Sequence, residues 1–208
     1  MDGITQLRKT LEQQKGSRNQ IEKSLIKARG DLELSHRDLE KHEKAREIIR
    51  KVGMQTQQQL SFHISNITTL ALNAVFDDPY ELKVDFVQRR NKTECDLLFV
   101  RDGHDVDPME ASGVGAVDIA AFALRIASWS MQKPHTDNTI LLDEPFKHLK
   151  GADANRRALD MINEISRKMK IQIIMVSDER IPREDIIEAA DRVFEVSIKD
   201  GVSKVKQS

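Results

Sequence analysis

One cysteine, one tyrosine, one tryptophan and five prolines are spread through 208 residues. The single cysteine, Cys95, excludes an internal disulfide and suits a reducing compartment. Aromatics make up only 4%, so there is no row of rings on which single-stranded nucleic acid would stack. No apolar run approaches the ~20 residues that a membrane span needs. Met1-Asp2-Gly3-Ile4-Thr5 lacks the basic and apolar regions of a secretory signal. The formal net charge of -1 carries no global basicity that would advertise a nucleic-acid partner. Histidine offers no metal set: His36, His42 and His63 fall on a helical stretch at neither ligand nor one-face spacing, and His104, His135 and His148 fall in loops. Together these absences point to a cytoplasmic protein with no membrane partner, holding one sizeable domain and an extension.

What is present first is charge, at 32% of residues, densely alternated in the N-terminal quarter. Residues 1–52 contain no proline, and Ile4, Leu7, Leu11, Ile21, Leu25, Ala28, Leu32, Leu39 and Ile49 recur at three- and four-residue spacing. With Ile4 at heptad position a, all of them fall at a or d, while Gln14, Arg18, Ser35, His42 and Arg46 interrupt the seam. The pattern predicts a coiled-coil arm over 1–52 and a globular lobe over 53–208. The helix is expected to continue through Leu60, Ile64, Ile67 and Leu72 and to stop before Pro79, which disfavours helix at the preceding residue.

Beyond it, Leu82-Lys83-Val84-Asp85-Phe86 alternates as a strand does, and Cys95 to Val100 reads as its hairpin partner across a basic turn, Arg89-Arg90-Asn91-Lys92. That turn is a candidate contact for a DNA backbone through Arg89, Arg90 and Lys92. Ala116 to Met131 is apolar on most faces and reads as a buried helix. A mostly parallel sheet should follow: strand at Thr139, helix over Ala152 to Lys170, buried strand over Ile171 to Val176, short helix, strand, and an Asp200-Gly201 hairpin.

Two stretches carry the chemistry. Thr139-Ile140-Leu141-Leu142-Asp143-Glu144-Pro145 runs an apolar strand into two adjacent acids, at the strand end where open α/β sheets place ligands. This is the Walker B pattern of nucleotide hydrolases, in which the first acid supports Mg²⁺ and the second polarises water. Ser112-Gly113-Val114-Gly115 opens the buried helix and offers free N–H groups and a positive dipole end to an anion. A G-x-x-x-x-G-K-[ST] phosphate loop occurs nowhere in the chain.

In this order, the chain resembles the C-terminal half of the SMC-like ABC ATPases of DNA repair and recombination, such as the large subunit of the bacterial SbcCD nuclease, and particularly phage-encoded members. The residues carrying the resemblance are Asn73-Ala74-Val75-Phe76-Asp77-Asp78, Ala111 to Asp118, Phe122-Ala123-Leu124-Arg125, Ile140 to Pro145 and Ala189-Ala190-Asp191-Arg192-Val193. It implies an α/β fold, the C-terminal lobe of an ABC/SMC-type ATPase head with a long N-terminal coiled-coil helix. It implies ATP and Mg²⁺ as cofactors, and as partners an N-terminal P-loop half, a second head, DNA and a nuclease subunit. Ser112, Gly113 and Gly115 would contact the terminal phosphate of nucleotide held by an opposing head. Asp143 would support Mg²⁺, and Glu144 would be the catalytic acid that orients or deprotonates water.

Three positions depart from the family pattern. Val114 stands where a glycine is usual, Lys150 falls near the usual aspartate of the loop after the strand, and Asp178 occupies the place of a phosphate-sensing histidine. They leave a second reading open: a catalytically inactive head lobe and coil that regulates a full ATPase.

Overall fold

The computed structural model describes residues 2–90, 92–110, 113–134, 137–177 and 181–207. The chain divides into two units, Met1–Thr56 and Gln57–Ser208. The described residues of the first unit are helix throughout. They form the N-terminal part of α1 (Asp2–Val75), whose run without proline lets one helix continue for 74 residues. Every side chain described in this unit is exposed, including Ile4, Leu7, Leu11, Ile21, Leu25, Leu32, Leu39 and Ile49. Pairs one turn apart, such as Lys15–Glu12 at 3.1 Å and Arg37–Glu33 at 3.0 Å, lace the surface. Each contributes little when solvated, so this helix is a stripe awaiting cover.

The second unit holds the core. The last turns of α1 bury Ala71, Leu72 and Val75 against β1 (Glu81–Arg89) and β2 (Lys92–Arg101), which contribute Leu82, Val84 and Phe99. Hydroxyls one turn apart on α1 hold the neighbouring strand: Ser61 Oγ donates to the Val84 carbonyl at 2.7 Å, Ser65 Oγ donates to the Leu82 carbonyl, and Thr69 Oγ1 accepts from the Leu82 N–H at 2.9 Å. The hairpin closes at the basic turn, with Arg89 opposite Lys92. The second strand ends at Arg101, before Asp102-Gly103, and the sequence reading carried no further strand here. Asp102 and Gly103, at φ 52 and 76, turn the chain into a third short strand, β3 (His104–Val106), antiparallel to β2.

The apolar helix α2 (Val114–Met131) starts two residues earlier than its hydrophobic run. It is long and apolar enough to cross a membrane, yet Ile119, Phe122, Ala123, Ile126 and Ala127 are buried in the core. Its apolarity is that of a core helix. Next come β4 (Thr139–Asp143), α3 (Ala152–Met169) and β5 (Gln172–Val176), with β5 parallel to β4 and Leu141 opposite Ile174. α4 (Arg183–Ala189) and the hairpin of β6 (Phe194–Lys199) and β7 (Val202–Gln207) complete the chain. Asp200 and Gly201, both at positive φ, form its tight turn.

Two expectations need correction. Among the described residues β6 pairs only with β7, so the single mostly parallel sheet is instead a parallel pair and a separate hairpin. The strands at 139–143 and 172–176 are not buried on both faces. Leu142 faces the core, as do Ile140, Ile173 and Met175 in part, whereas Leu141, Ile174 and Val176 stand exposed on the other side. Apolar residues on both faces of a parallel strand signal two covering layers, and this chain supplies one.

Candidate functional site

The acid pair lies where the strand ends. Asp143 is the last residue of β4 and is exposed. Period-two alternation puts it on the open face with Leu141. Glu144 breaks that alternation at φ 41, a left-handed conformation that costs a non-glycine residue roughly 1–2 kcal/mol. The kink is held by its own N–H, which donates to the Val176 carbonyl at 3.0 Å. Glu144 is thus half-buried, in a shallow cleft against Met175, Val176, Ser177 and Ile181. The two carboxylates occupy different environments: one open to solvent, the other beside the end of β5.

The loop after Glu144 is tightly specified. Lys147 N–H donates to the Glu144 carbonyl at 3.2 Å, and Leu149 N–H donates to that of Phe146 at 3.0 Å. Phe146 and Leu149 are buried. Gly151, at φ 96, reverses the chain into α3. Asn155, one of the few buried polar side chains, donates from Nδ2 to the Gly151 carbonyl at 2.9 Å.

Gly113 is the N-cap of α2 and has no side chain to satisfy the first turn; its carbonyl takes the Ala116 N–H at 2.8 Å, which leaves the Val114 and Gly115 N–H groups at the helix start to face an acceptor. Val114 is exposed there. Gly115 has a packing reason of its own: a Cβ would sit 3.1 Å from Leu149 Cα and 3.2 Å from the His148 carbonyl oxygen. Lys150 is exposed. Ser112 and Asp178 lie outside the described residues.

No group of three His, Cys, Asp or Glu side chains able to hold a metal occurs among the described residues. A lone exposed strand-end carboxylate still fits Mg²⁺, which is commonly held by one or two carboxylates with phosphate oxygens and water.

The basic turn is less free than its sequence reads. Arg89 grips Asp96 with two parallel bonds, Nη1–Oδ1 at 2.8 Å and Nη2–Oδ2 at 2.6 Å, and reaches Glu94 at 3.3 Å. The guanidinium holds the Asp96 carboxyl below its usual range, and the two acids hold Arg89 more firmly charged. Arg90 and Lys92 are exposed at the same turn, and Arg89 is already spent on its own hairpin.

Sequence reasoning passed over Asp118 and Asn155. Asp118, largely covered, accepts the His148 backbone N–H at 2.8 Å and lies 3.4 Å from His148 Nδ1. The available signal was the i, i+3, i+7 stripe Gly115–Asp118–Phe122 on an otherwise apolar helix.

No family model and no curated protein matches the chain. Solved structures do. An SMC head bound to the C-terminal winged-helix domain of ScpA is 25% identical with a TM-score of 0.56, over 76% of this chain and 45% of that one. A structure from work on ATP-driven dimerization and DNA-stimulated activation of SMC ATPases is 24% identical at the same TM-score, over 76% and 88%. An Smc head with an extended coiled coil from Pyrococcus furiosus, bound to the C-terminal domain of ScpA, is 23% identical, again at 0.56, over 76% and 36%. The chain therefore spans less than half the length of the first and third of these. With its long N-terminal helix leading into a mixed helix-and-sheet body, it has the fold of an SMC ATPase head.

Proposed function

We propose that this chain is the C-terminal lobe of an SMC-like ATPase that couples ATP binding and hydrolysis to DNA end processing or recombination. The phosphate loop would come from another chain or segment. The observation that carries the reading is the Asp143–Glu144 pair at the end of a parallel strand on an SMC-head fold, beside an uncovered apolar sheet face. Leu141, Ile174 and Val176 on that face fit the missing half of the head, and the exposed seam of α1 fits a second coil strand.

In the assembled head, bound Mg²⁺ would neutralise charge on the phosphates, and Asp143 would hold it. Glu144 would orient the attacking water and accept its proton on a carboxylate oxygen. The N–H groups of Gly113 and Gly115, with Ser112, would meet the terminal phosphate of nucleotide on a second head. Phosphoryl transfer asks for positioning and charge neutralisation more than covalent chemistry, and these groups supply both. One similar structure comes from work on ATP-driven dimerization and DNA-stimulated activation, which supports a dimer of heads and a DNA partner. A nuclease subunit as further partner and a phage source rest on the resemblance in sequence, and a cytoplasmic setting on the composition.

The test is co-expression with a matching P-loop half, followed by ATP turnover with and without Glu144→Gln. Turnover lost in Glu144→Gln, with nucleotide trapped, is the expected result. Turnover unaffected by that change removes Glu144 from the mechanism. A specific observation favours the second reading, an inactive regulatory lobe: Val114 places an exposed branched side chain at the phosphate-facing turn. Association with the P-loop half but no turnover would establish that reading.

A further inference from the structure

The loop that follows the acid pair runs antiparallel to the first two turns of α2 and touches it at three successive points. Residues 115, 118 and 122 share one helical face. Gly115 meets the backbone of His148 and Leu149 so closely that a methyl group would be 3.1–3.2 Å from it, and the loop would have to give way. Asp118 accepts the His148 N–H at 2.8 Å. Phe122 packs edge-on against Phe146, with ring centroids 5.7 Å apart at 73°. The central contact is the polar one. It takes a backbone donor from His148, which is itself exposed but is flanked by the buried Phe146 and Leu149, and Asp118 is only 17% exposed. Nothing in the proposed chemistry uses this carboxylate.

We infer that Asp118 is a positioning residue: it fixes the 144–149 loop on α2 and thereby sets Glu144 at a constant place relative to the Gly113–Gly115 turn. The inference rests on the ATPase reading for its functional meaning, not for its geometry. Glu144 lies at one end of the loop and is joined to it by the Lys147 N–H to Glu144 carbonyl bond. A loop freed at His148 loosens that turn, and Glu144 with it. Because Glu144 and the glycine turn would serve nucleotides on two different heads, a rigid link between them makes the state of one site felt at the other.

Two measurements test it. In the full chain alone, amide exchange followed by NMR should speed up about tenfold or more at His148, Lys147 and Glu144 together in Asp118→Ala, with the later turns of α2 unchanged. Asp118→Asn keeps one acceptor oxygen and should restore most of the protection; it also serves if the alanine variant folds poorly. In the assembly with a P-loop half, Asp118→Ala should lower kcat about tenfold and leave KM for ATP within about twofold, with Asp118→Asn intermediate. Unchanged exchange at Lys147 and Glu144 overturns the inference, as does faster exchange with kcat unchanged. If the wild-type assembly shows no turnover, the ATPase reading falls, and the exchange result alone decides whether Asp118 positions Glu144.

Discussion

At the residue scale the chain shows how little of a site's geometry resides in the residues that do chemistry. Asp143 and Glu144 are neighbours in sequence, yet the left-handed kink at Glu144 sends them into different surroundings. Their identity was readable as an apolar run ending in two acids; their separation was not, because it depends on a bond to Val176, 32 positions away. Gly115 gives a sharper case. Read as a phosphate-facing residue, it is also a contact residue where a side chain would press on the next loop at 3.1–3.2 Å. A helical Gly→Ala change normally gains up to about 1 kcal/mol. Here the new methyl would press on backbone atoms that Asp118 pins, which cannot rotate away. Gly115→Ala should therefore destabilise the chain by about 1–2 kcal/mol, read as a lower urea midpoint. A gain in stability would show that the loop yields.

At the element scale, α1 and the β1–β2 hairpin were legible as pattern, and their joint was not. Three hydroxyls at Ser61, Ser65 and Thr69 look in sequence like polar interruptions of a helix; in the structure they bond the backbone of β1. Thr68, beside them, is fully buried, and its Oγ1 has no hydrogen-bond partner among the described residues. Replacing it by the similarly shaped valine removes that uncompensated group. Thr68→Val should stabilise the chain by about 1 kcal/mol in urea unfolding, and a loss of stability would reveal a partner for the hydroxyl. One exposed ion pair braces the hairpin tip, and another ties Asp77 to the start of α3. Asp96 with Arg89, and Asp77 with Arg157 at 2.6 Å, both have carboxyls held below their usual value of 3.8. A lowered carboxylate stabilises the fold above its unfolded value and loses that contribution as pH falls through its lower folded value. The urea midpoint should accordingly drop as pH is taken from 5 to 3, and less steeply in Asp96→Asn. An equal slope in the variant would show that this pair contributes nothing.

At the scale of the whole molecule, the informative surface is the one left uncovered. Half of β4 and β5 is core and half is solvent, although their residues are apolar on both sides. Leu141→Glu should leave the stability of the isolated chain within about 0.5 kcal/mol, because Leu141 is 73% exposed. It should also abolish association with a P-loop half, read by co-purification; retained association would mean that the partner covers another face. The isolated chain should bind ATP only weakly, since it has no phosphate loop of its own. Micromolar binding by calorimetry would contradict the half-site reading.

The amino-acid sequence by itself determined most of the elements and their order, the short β3 excepted. A heptad stripe, interrupted but without proline, makes α1, period-two alternation makes the first hairpin, and an apolar run ending in Asp143-Glu144 makes β4, because each signal is local. The tertiary structure decided the rest, and it departs from the sequence reading wherever distant residues compete. β6 pairs with β7 and not with β5; β4 and β5 keep one face open; Arg89 is taken by Asp96; the 144–149 loop is moulded on Gly115, Asp118 and Phe122. These outcomes depend on which surfaces meet, and periodicity along a chain carries no record of which partner, near or missing, comes to cover a face.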